Sequence, residues 1–242
     1  MLILGIDTST DFLALSLMED DKIKAEYNLS LKRQHSEKLL PLIDELFKTF
    51  ELKAKDLDAI AVATGPGSFT GLRIAITTAK MLGRIFSIPV KGISTLEIMA
   101  AGQRANYILA MLDAKRNRVY YSFYSRKTDD FQTELDKKFK LKEIYKASSI
   151  EINNLAELLS DYKAEEILLI GDKTDKTAEI LRNSNFNILK AEAENNYPRA
   201  AVLARLGRDY ISAGQRDDIY QLKPTYLKKP QAELNWQQKY GG

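Results

Sequence analysis

The sequence predicts an α/β fold of two similar lobes, each running βββαβαβα, with mixed sheets covered by helices. Three observations predict it. From Leu2 to Gly102, three strand-like segments precede an alternation of helix and strand, and the same order recurs from Tyr107 to Ala213. The early segments of each copy alternate apolar and polar residues, as a meander does, while Ala59–Ala63 and Ile167–Ile170 are continuous apolar runs, as buried strands are. Helical segments follow those runs and supply the crossovers that parallel strands require. The expected division is 1–103 for the first lobe, 104–219 for the second and 220–242 for an extended tail.

In order, Leu2–Ile6 reads as a strand, and Leu13, Leu15 and Leu17 alternate through a second. Glu19-Asp20-Asp21 turns the chain into a third, Ile23–Leu29. A helix spans about Glu37–Phe50, with Leu39, Ile43, Leu46 and Phe50 on one face and Leu40 and Phe47 beside them. Pro41 requires this helix either to start near Lys38 or to kink. The strand from Asp58 ends at Gly65-Pro66-Gly67, after which Ser68 and Thr70 offer capping hydroxyls to a helix running to Phe86 and stopped by Pro89. Val90–Ile93 is a short strand, and Ser94-Thr95-Leu96-Glu97 has the form of a capping box for a helix to about Gly102.

The second copy begins with strands at Tyr107–Leu112 and Val119–Ser125, with a weaker one around Phe139–Leu141. Helix is expected over Ile150–Tyr162, strand over Ile167–Ile170 and helix over Lys173–Arg182. A short strand, Ile188–Lys190, precedes a helix over Pro198–Ala213, with Pro198 in its first turn and Gly214 past its end. The Lys-, Gln- and Pro-rich tail is expected to pack through Tyr226, Leu227 and Trp236 before fraying.

Composition narrows the chemistry. A formal net charge of +3 over 242 residues does not by itself argue for nucleic acid, and the basic clusters (Lys32-Arg33, Arg116–Arg118, Lys228-Lys229) are short. With no cysteine there are no disulfides, thiolate metal sites or cysteine nucleophiles, and His35 alone rules out a two-histidine metal site within the chain. No signal peptide or membrane helix is read, so a cytoplasmic location is expected.

The helix Thr70–Phe86 has two apolar sides. Leu72, Ile76, Leu82 and Phe86 suit packing on its own sheet, Ile74, Met81 and Ile85 fall elsewhere, and Gly71, Ala75, Ala79 and Gly83 form a ridge of small residues between them. Either the helix is buried twice within one subunit or its second side meets another chain. The candidate partner surface comprises Leu39, Leu42, Ile43, Leu46, Gly71, Ile74, Ala75, Thr78, Met81 and Ile85.

Two βββαβαβα lobes are the layout of the actin and sugar-kinase superfamily, whose ATP lies between the lobes. More narrowly, LGIDTST at Leu4–Thr10, HSEKLLPLI at His35–Ile43, GPGSFTGLRIA at Gly65–Ala75 and GISTLE at Gly92–Glu97 resemble the TsaB (YeaZ) family, and the GPGSFTGLR match is the most specific. DAKRNRVY at Asp113–Tyr120, GD at Gly171-Asp172, YPRA at Tyr197–Ala200 and PTYLKK at Pro224–Lys229 extend the resemblance over nearly the whole chain. It implies a role in making N6-threonylcarbamoyladenosine at position 37 of tRNAs that read ANN codons. It further implies pairing with the fold-related catalytic subunit TsaD, action alongside the ATPase TsaE, and only indirect contact with tRNA.

Set against superfamily chemistry, the residues imply a scaffold without a catalytic residue. Asp7 and Asp113 occupy the acidic positions of the two lobes, but no glycine follows either, so a side chain stands where a phosphate would approach. Asp7, Thr8, Gly65, Gly67, Ser68 and Asp113 are candidate contacts for a weakly held nucleotide or anion. No lysine follows Gly71 as a Walker A motif requires. Where TsaD-like proteins place two metal-binding histidines, the resemblance puts Thr95 and Met99, so neither metal nor cofactor is expected, apart from nucleotide at a junction with TsaD. His35 is expected to cap a helix or line an interface. A metallopeptidase has no support from one histidine, and the alternative function is an ATPase or phosphotransferase with a degenerate site. Alone, the chain is expected to form a homodimer.

Overall fold

The computed structural model describes residues 1–31, 34–130 and 140–227. Lys32-Arg33, Phe139 and the tail beyond Leu227, with Lys228-Lys229 and Trp236, lie outside these residues.

The first lobe contains β1 (Leu2–Asp7), β2 (Phe12–Glu19), β3 (Lys22–Ser30), α1 (His35–Thr49), β4 (Ala59–Gly65), α2 (Phe69–Phe86), β5 (Val90–Ser94) and α3 (Thr95–Ala101). Its sheet order is β3-β2-β1-β4-β5, antiparallel through β3, β2 and β1 and parallel from β1 to β5. The second lobe contains β6 (Tyr107–Asp113), β7 (Arg118–Ser125), β8 (Lys142–Glu151), α4 (Leu155–Leu158), β9 (Glu166–Gly171), α5 (Thr174–Asn183), β10 (Asn187–Lys190) and α6 (Ala200–Ser212). Its order, β8-β7-β6-β9-β10, and its pattern of strand directions repeat those of the first. The fold is the expected two-lobed α/β arrangement of mixed sheets.

Chain order and spatial order part company at the last helix of each copy. α6 packs on β1, β2, β4 and β5 of the first lobe, while α3 packs on β6, β7 and β9 of the second as well as on β4 and β5. One buried cluster accordingly joins Ile3 and Ala61 of the first sheet, Leu96 and Met99 of α3, Ile108 and Ile170 of the second sheet, and Leu203 and Ala204 of α6. Gly207 belongs to this contact, since a Cβ there would lie 2.4 Å from the Ala61 side chain. Outer cores lie under α1 and α2 in the first lobe and under α4 and α5 in the second.

Several local expectations change. The third strand of the second lobe is Lys142–Glu151, which begins just past Leu141, with Phe139 outside the described residues; it is an edge strand, paired among the described residues only with β7 and largely half-buried or exposed, so its pattern is weak. Ile152, Leu155 and Leu159 are buried at helical spacing, but the chain there makes a 3-10 turn, one α-helical turn and another 3-10 turn instead of a helix over Ile150–Tyr162. α1 begins at His35, which leaves Pro41 inside it. α6 begins at Ala200 with Arg199 as N-cap, so Pro198 precedes the helix. The capping box does not form: Ser94 makes no capping bond, and Glu97 accepts a 2.6 Å hydrogen bond from Tyr210 of α6 instead. Ser68 does cap α2, accepting from the Gly71 N–H at 3.2 Å.

Candidate functional site

The C-terminal ends of the parallel strands bring five loops around a cleft of about 500 Å³ between the lobes. Of the candidate nucleotide contacts, Gly67, Ser68 and Asp113 line it, joined by Ser9, Lys115, Tyr120, Asp172, Asn196 and Tyr197. Asp172, Tyr197 and Tyr120 fall within the short GD, YPRA and DAKRNRVY matches; nothing in the sequence pointed to Asn196 as a cleft residue. Phe12 and Tyr197 stack with ring centroids 4.1 Å apart and form one wall.

The other candidate contacts stand behind the cleft. Asp7 is fully buried; one carboxylate oxygen accepts from the Ser9 N–H at 2.6 Å and the other has no partner. Burial raises its pKa to about 6 against the lowering effect of the Ser9 hydrogen bonds. Thr8 turns its hydroxyl onto the Gly71 carbonyl at 2.7 Å, and Gly65, with φ +105°, is buried against Leu72 and the Thr225 carbonyl. Gly67 and Gly71 serve this packing too: a Cβ at either would come within 2.3 Å or 1.9 Å of the carbonyl oxygens of Ser9 and Thr8. The GPGSFTG loop is thus clamped against the β1–β2 turn, with its backbone in contact with protein.

Asp113 is occupied differently. Lys173 approaches Asp113 Oδ1 at 2.6 Å and the Lys115 ammonium approaches Oδ2 at 2.9 Å, while the Lys115 N–H donates to Oδ1. Burial would raise the pKa of Asp113, but these lysine contacts outweigh it and lower it to about 2. Lys115, Arg116 and Asn117 all adopt positive φ, which folds the β6–β7 turn back over the carboxylate. Thr95 and Met99, at the positions compared with metal-binding histidines, are buried in the core shared by the lobes. Among the described residues no three His, Asp or Glu side chains gather as a metal site would need. His35 is buried at the start of α1, where its Nε2 lies 2.9 Å from the Thr10 carbonyl, tying α1 to the β1–β2 turn.

The expected partner surface divides in two. Leu39, Ile43, Leu46, Gly71, Ala75 and Thr78 are buried inside the subunit, so the ridge of small residues meets the chain's own sheet and is not available to a partner. Leu42 and Ile74 are half-buried, while Met81 (41%) and Ile85 (64%) are exposed. Phe86, expected on the inner face, is also exposed, as are Leu40 and Phe69. Leu40, Phe69, Ile74 and Thr77 line a groove of about 460 Å³ between α1 and α2. At its lip Tyr226 stacks on Phe69 at 4.8 Å and accepts a hydrogen bond from Arg73 Nε at 3.0 Å. The segment leading there is fixed by Asp217, which bonds to the β5 backbone at Val90 and Gly92, by buried Leu222 and by the Thr225 N–H on the Thr64 carbonyl.

Comparison with known proteins accounts for nearly the whole chain. The family model described as TsaD, tRNA N6-adenosine threonylcarbamoyltransferase, matches residues 23–236. The tRNA threonylcarbamoyladenosine biosynthesis protein TsaB of Bacillus subtilis is 32% identical over 240 residues, 98% of each chain. TsaB of Escherichia coli is 37% identical over 130 residues, which is 52% of this chain and 56% of that protein. The structure of YeaZ from Pseudomonas aeruginosa superposes with a TM-score of 0.76 at 24% identity, covering 93% of this chain and 99% of that one, and so shares its fold. With that coverage, and with the two-lobed topology above, the chain belongs to the TsaB (YeaZ) family.

Proposed function

We propose that this protein is a non-catalytic subunit of the machinery that makes N6-threonylcarbamoyladenosine at adenosine 37 of ANN-decoding tRNAs, and that it holds a TsaD subunit through α1 and α2. The relatives named for threonylcarbamoyladenosine biosynthesis support the process. One observation carries the division of labour: acidic and glycine positions that would serve nucleotide chemistry are engaged in internal contacts, while α2 carries exposed Met81 and Ile85 beside an open groove. A phosphate approaching Gly71 would have to displace the β1–β2 turn, and one approaching Asp113 would meet a carboxylate already neutralised by two lysines. α2 has no acidic residue, and Arg73 and Arg84 flank its apolar stripe, which suits a partner helix bearing apolar and acidic groups. The same stripe, left uncovered, favours self-association about a two-fold axis, so homodimer and TsaD complex compete for it. The protein acts in the cytoplasm, meets tRNA through TsaD and works alongside TsaE. Nucleotide binds, if anywhere, at the TsaD junction.

The test is purification of the tagged chain from its own cells, together with ATP turnover by the isolated chain. TsaD recovered in stoichiometric amount, with no turnover by the isolated chain, is the expected result. Steady ATP hydrolysis that Asp7→Ala abolishes would instead identify a phosphotransferase or ATPase.

A further inference from the structure

The chain leaves the first lobe through the C-terminal end of α3, and two arginines meet there with no ion pair to a carboxylate among the described residues. The Ala101 carbonyl is one of those that a helix end leaves without an intrahelical partner. Arg126 of the second lobe donates to it from Nη2 at 2.9 Å, and Arg205 of α6 donates from Nη2 at 3.0 Å. Two nitrogens held on one oxygen are at most about 6 Å apart. Arg126 Nη1 goes to the Lys140 carbonyl at 2.8 Å, and its Nε has no partner. Among the described residues no carboxylate forms an ion pair with either guanidinium. Burial first, and then repulsion from Arg205, hold the Arg126 pKa below its usual value.

A cap on α3 explains one of these contacts and not both. One carbonyl at the end of a seven-residue helix offers a fraction of a negative charge, against two full positive charges. Arg126 is half-buried and Arg205 exposed, so the pair is open to solvent on one side. Guanidinium forks are planar, weakly hydrated donors matched to oxyanions, and the N–H groups that the two side chains do not spend on carbonyls suit a tetrahedral anion seated on the solvent side of the Ala101 carbonyl. We propose that Arg126 and Arg205 form a site for a single phosphate-type oxyanion, free in solution or part of an RNA backbone. Both residues lie outside the interlobe cleft and the α1/α2 groove, so the site stands apart from both surfaces already described.

The experiment uses the full chain. Melting temperature and calorimetric titration are followed with inorganic phosphate and with pyrophosphate, each against chloride at matched ionic strength, and with a short RNA stem of arbitrary sequence. Phosphate should raise the melting temperature saturably in the wild type. Arg205→Gln, an exposed change that leaves the anion-free melt near that of the wild type, should weaken binding at least tenfold, and Arg126→Lys should weaken it because the fork is lost. RNA that competes with phosphate and loses affinity in Arg205→Gln would assign the anion to a nucleic-acid backbone; phosphate binding without RNA binding would assign it to a free ligand. A wild type that neither distinguishes phosphate from chloride nor binds RNA overturns the proposal, as does an Arg205→Gln chain that binds as tightly as the wild type.

Discussion

Ile85→Glu separates the partner surface from the core. Ile85 is 64% exposed in the last turn of α2, so about two thirds of its side chain remains for another chain to cover. Full burial of such a side chain is worth about 1.5–3 kcal/mol, which leaves about 1–2 kcal/mol per contact at this position. A two-fold homodimer makes the contact twice, so losing it weakens association by about 2–4 kcal/mol, roughly 30- to 1,000-fold, before the desolvation of a buried carboxylate is added. The subunit itself changes little: an exposed substitution costs within about 0.5 kcal/mol, plus about 0.3–1 kcal/mol for a negative charge at a helix C-terminus. Sedimentation velocity and a thermal melt on the same sample provide the assay. The expected variant is a monomer that melts within a few degrees of the wild type and no longer recovers TsaD. A folded variant that still self-associates and binds TsaD, or one that unfolds, refutes the reasoning. Ile74→Glu is less informative, because Ile74 is half-buried against the first-lobe core and its loss mixes folding with association.

Glu97→Gln tests the Glu97–Tyr210 contact between α3 and α6. Burial raises the Glu97 pKa to about 7 against the lowering effect of Tyr210 and Lys91, and Glu143 raises it further; the folded state therefore holds a proton that the unfolded state has released, and stability present below about pH 4.5 is lost as pH rises through 7. The variant should be flat over that window in urea titrations and more stable than the wild type at pH 8 by up to about 3 kcal/mol, an upper bound because Glu97 keeps some solvent access; equal slopes would contradict it. Asp113→Asn has the opposite sign: its lowered pKa contributes stability above about pH 4 that disappears toward pH 2, so the variant should be less stable at pH 7, by about 1 kcal/mol once solvent screening of the exposed Lys115 contact is allowed for, and no different at pH 2. Gly71→Ala should cost at least about 3 kcal/mol, because its Cβ would meet the Thr8 carbonyl at 1.9 Å, while Gly102→Ala, with no neighbour closer than 3.4 Å, should be near neutral in the same melts.

The elements are legible where the two faces of a strand differ in side-chain size and where a turn is chemically marked. Leu13, Leu15 and Leu17 face the outer core of the first lobe, while small Ala14 and Ser16, equally buried, lie on the face covered by α6, and Ser68 starts α2 because its hydroxyl satisfies the Gly71 N–H. β8 was missed because an edge strand that is half-exposed along its length leaves little hydrophobic pattern. The small-residue ridge was legible as a close contact but not as to its partner: spacing says that a backbone comes near Gly71 and Ala75 and cannot say that it is the chain's own. The capping box was misread for a related reason. Glu97 has the right spacing to reach Ser94, yet the acceptor it offers is taken by Tyr210, more than a hundred residues away. Asn196, in the cleft, is held by a bond from another loop, from the Gly171 N–H to the Asn196 side chain at 2.8 Å across 25 residues.

The exchange of α3 and α6 bears most directly on what the cleft does. Each lobe is covered on its inner side by a helix that follows the other lobe's strands, and Leu96, Met99, Leu203 and Ala204 are at most 2% exposed within that shared layer. Polar ties fix the start of α6 to the first sheet: Arg199 with Glu26, and the Ser16 hydroxyl on the Ala200 carbonyl at 2.6 Å. Swinging the lobes apart would expose a continuous apolar layer, at a cost comparable to the stability of the whole fold. The cleft is consequently part of one packed body, with one wall set by Phe12 and Tyr197 and its Asp113 carboxylate already paired with Lys115 and Lys173. On the function proposed above, a body packed in this way would present α1 and α2 to a partner in a constant shape, which is the property a scaffold requires and which a closing nucleotide enzyme would have to forgo.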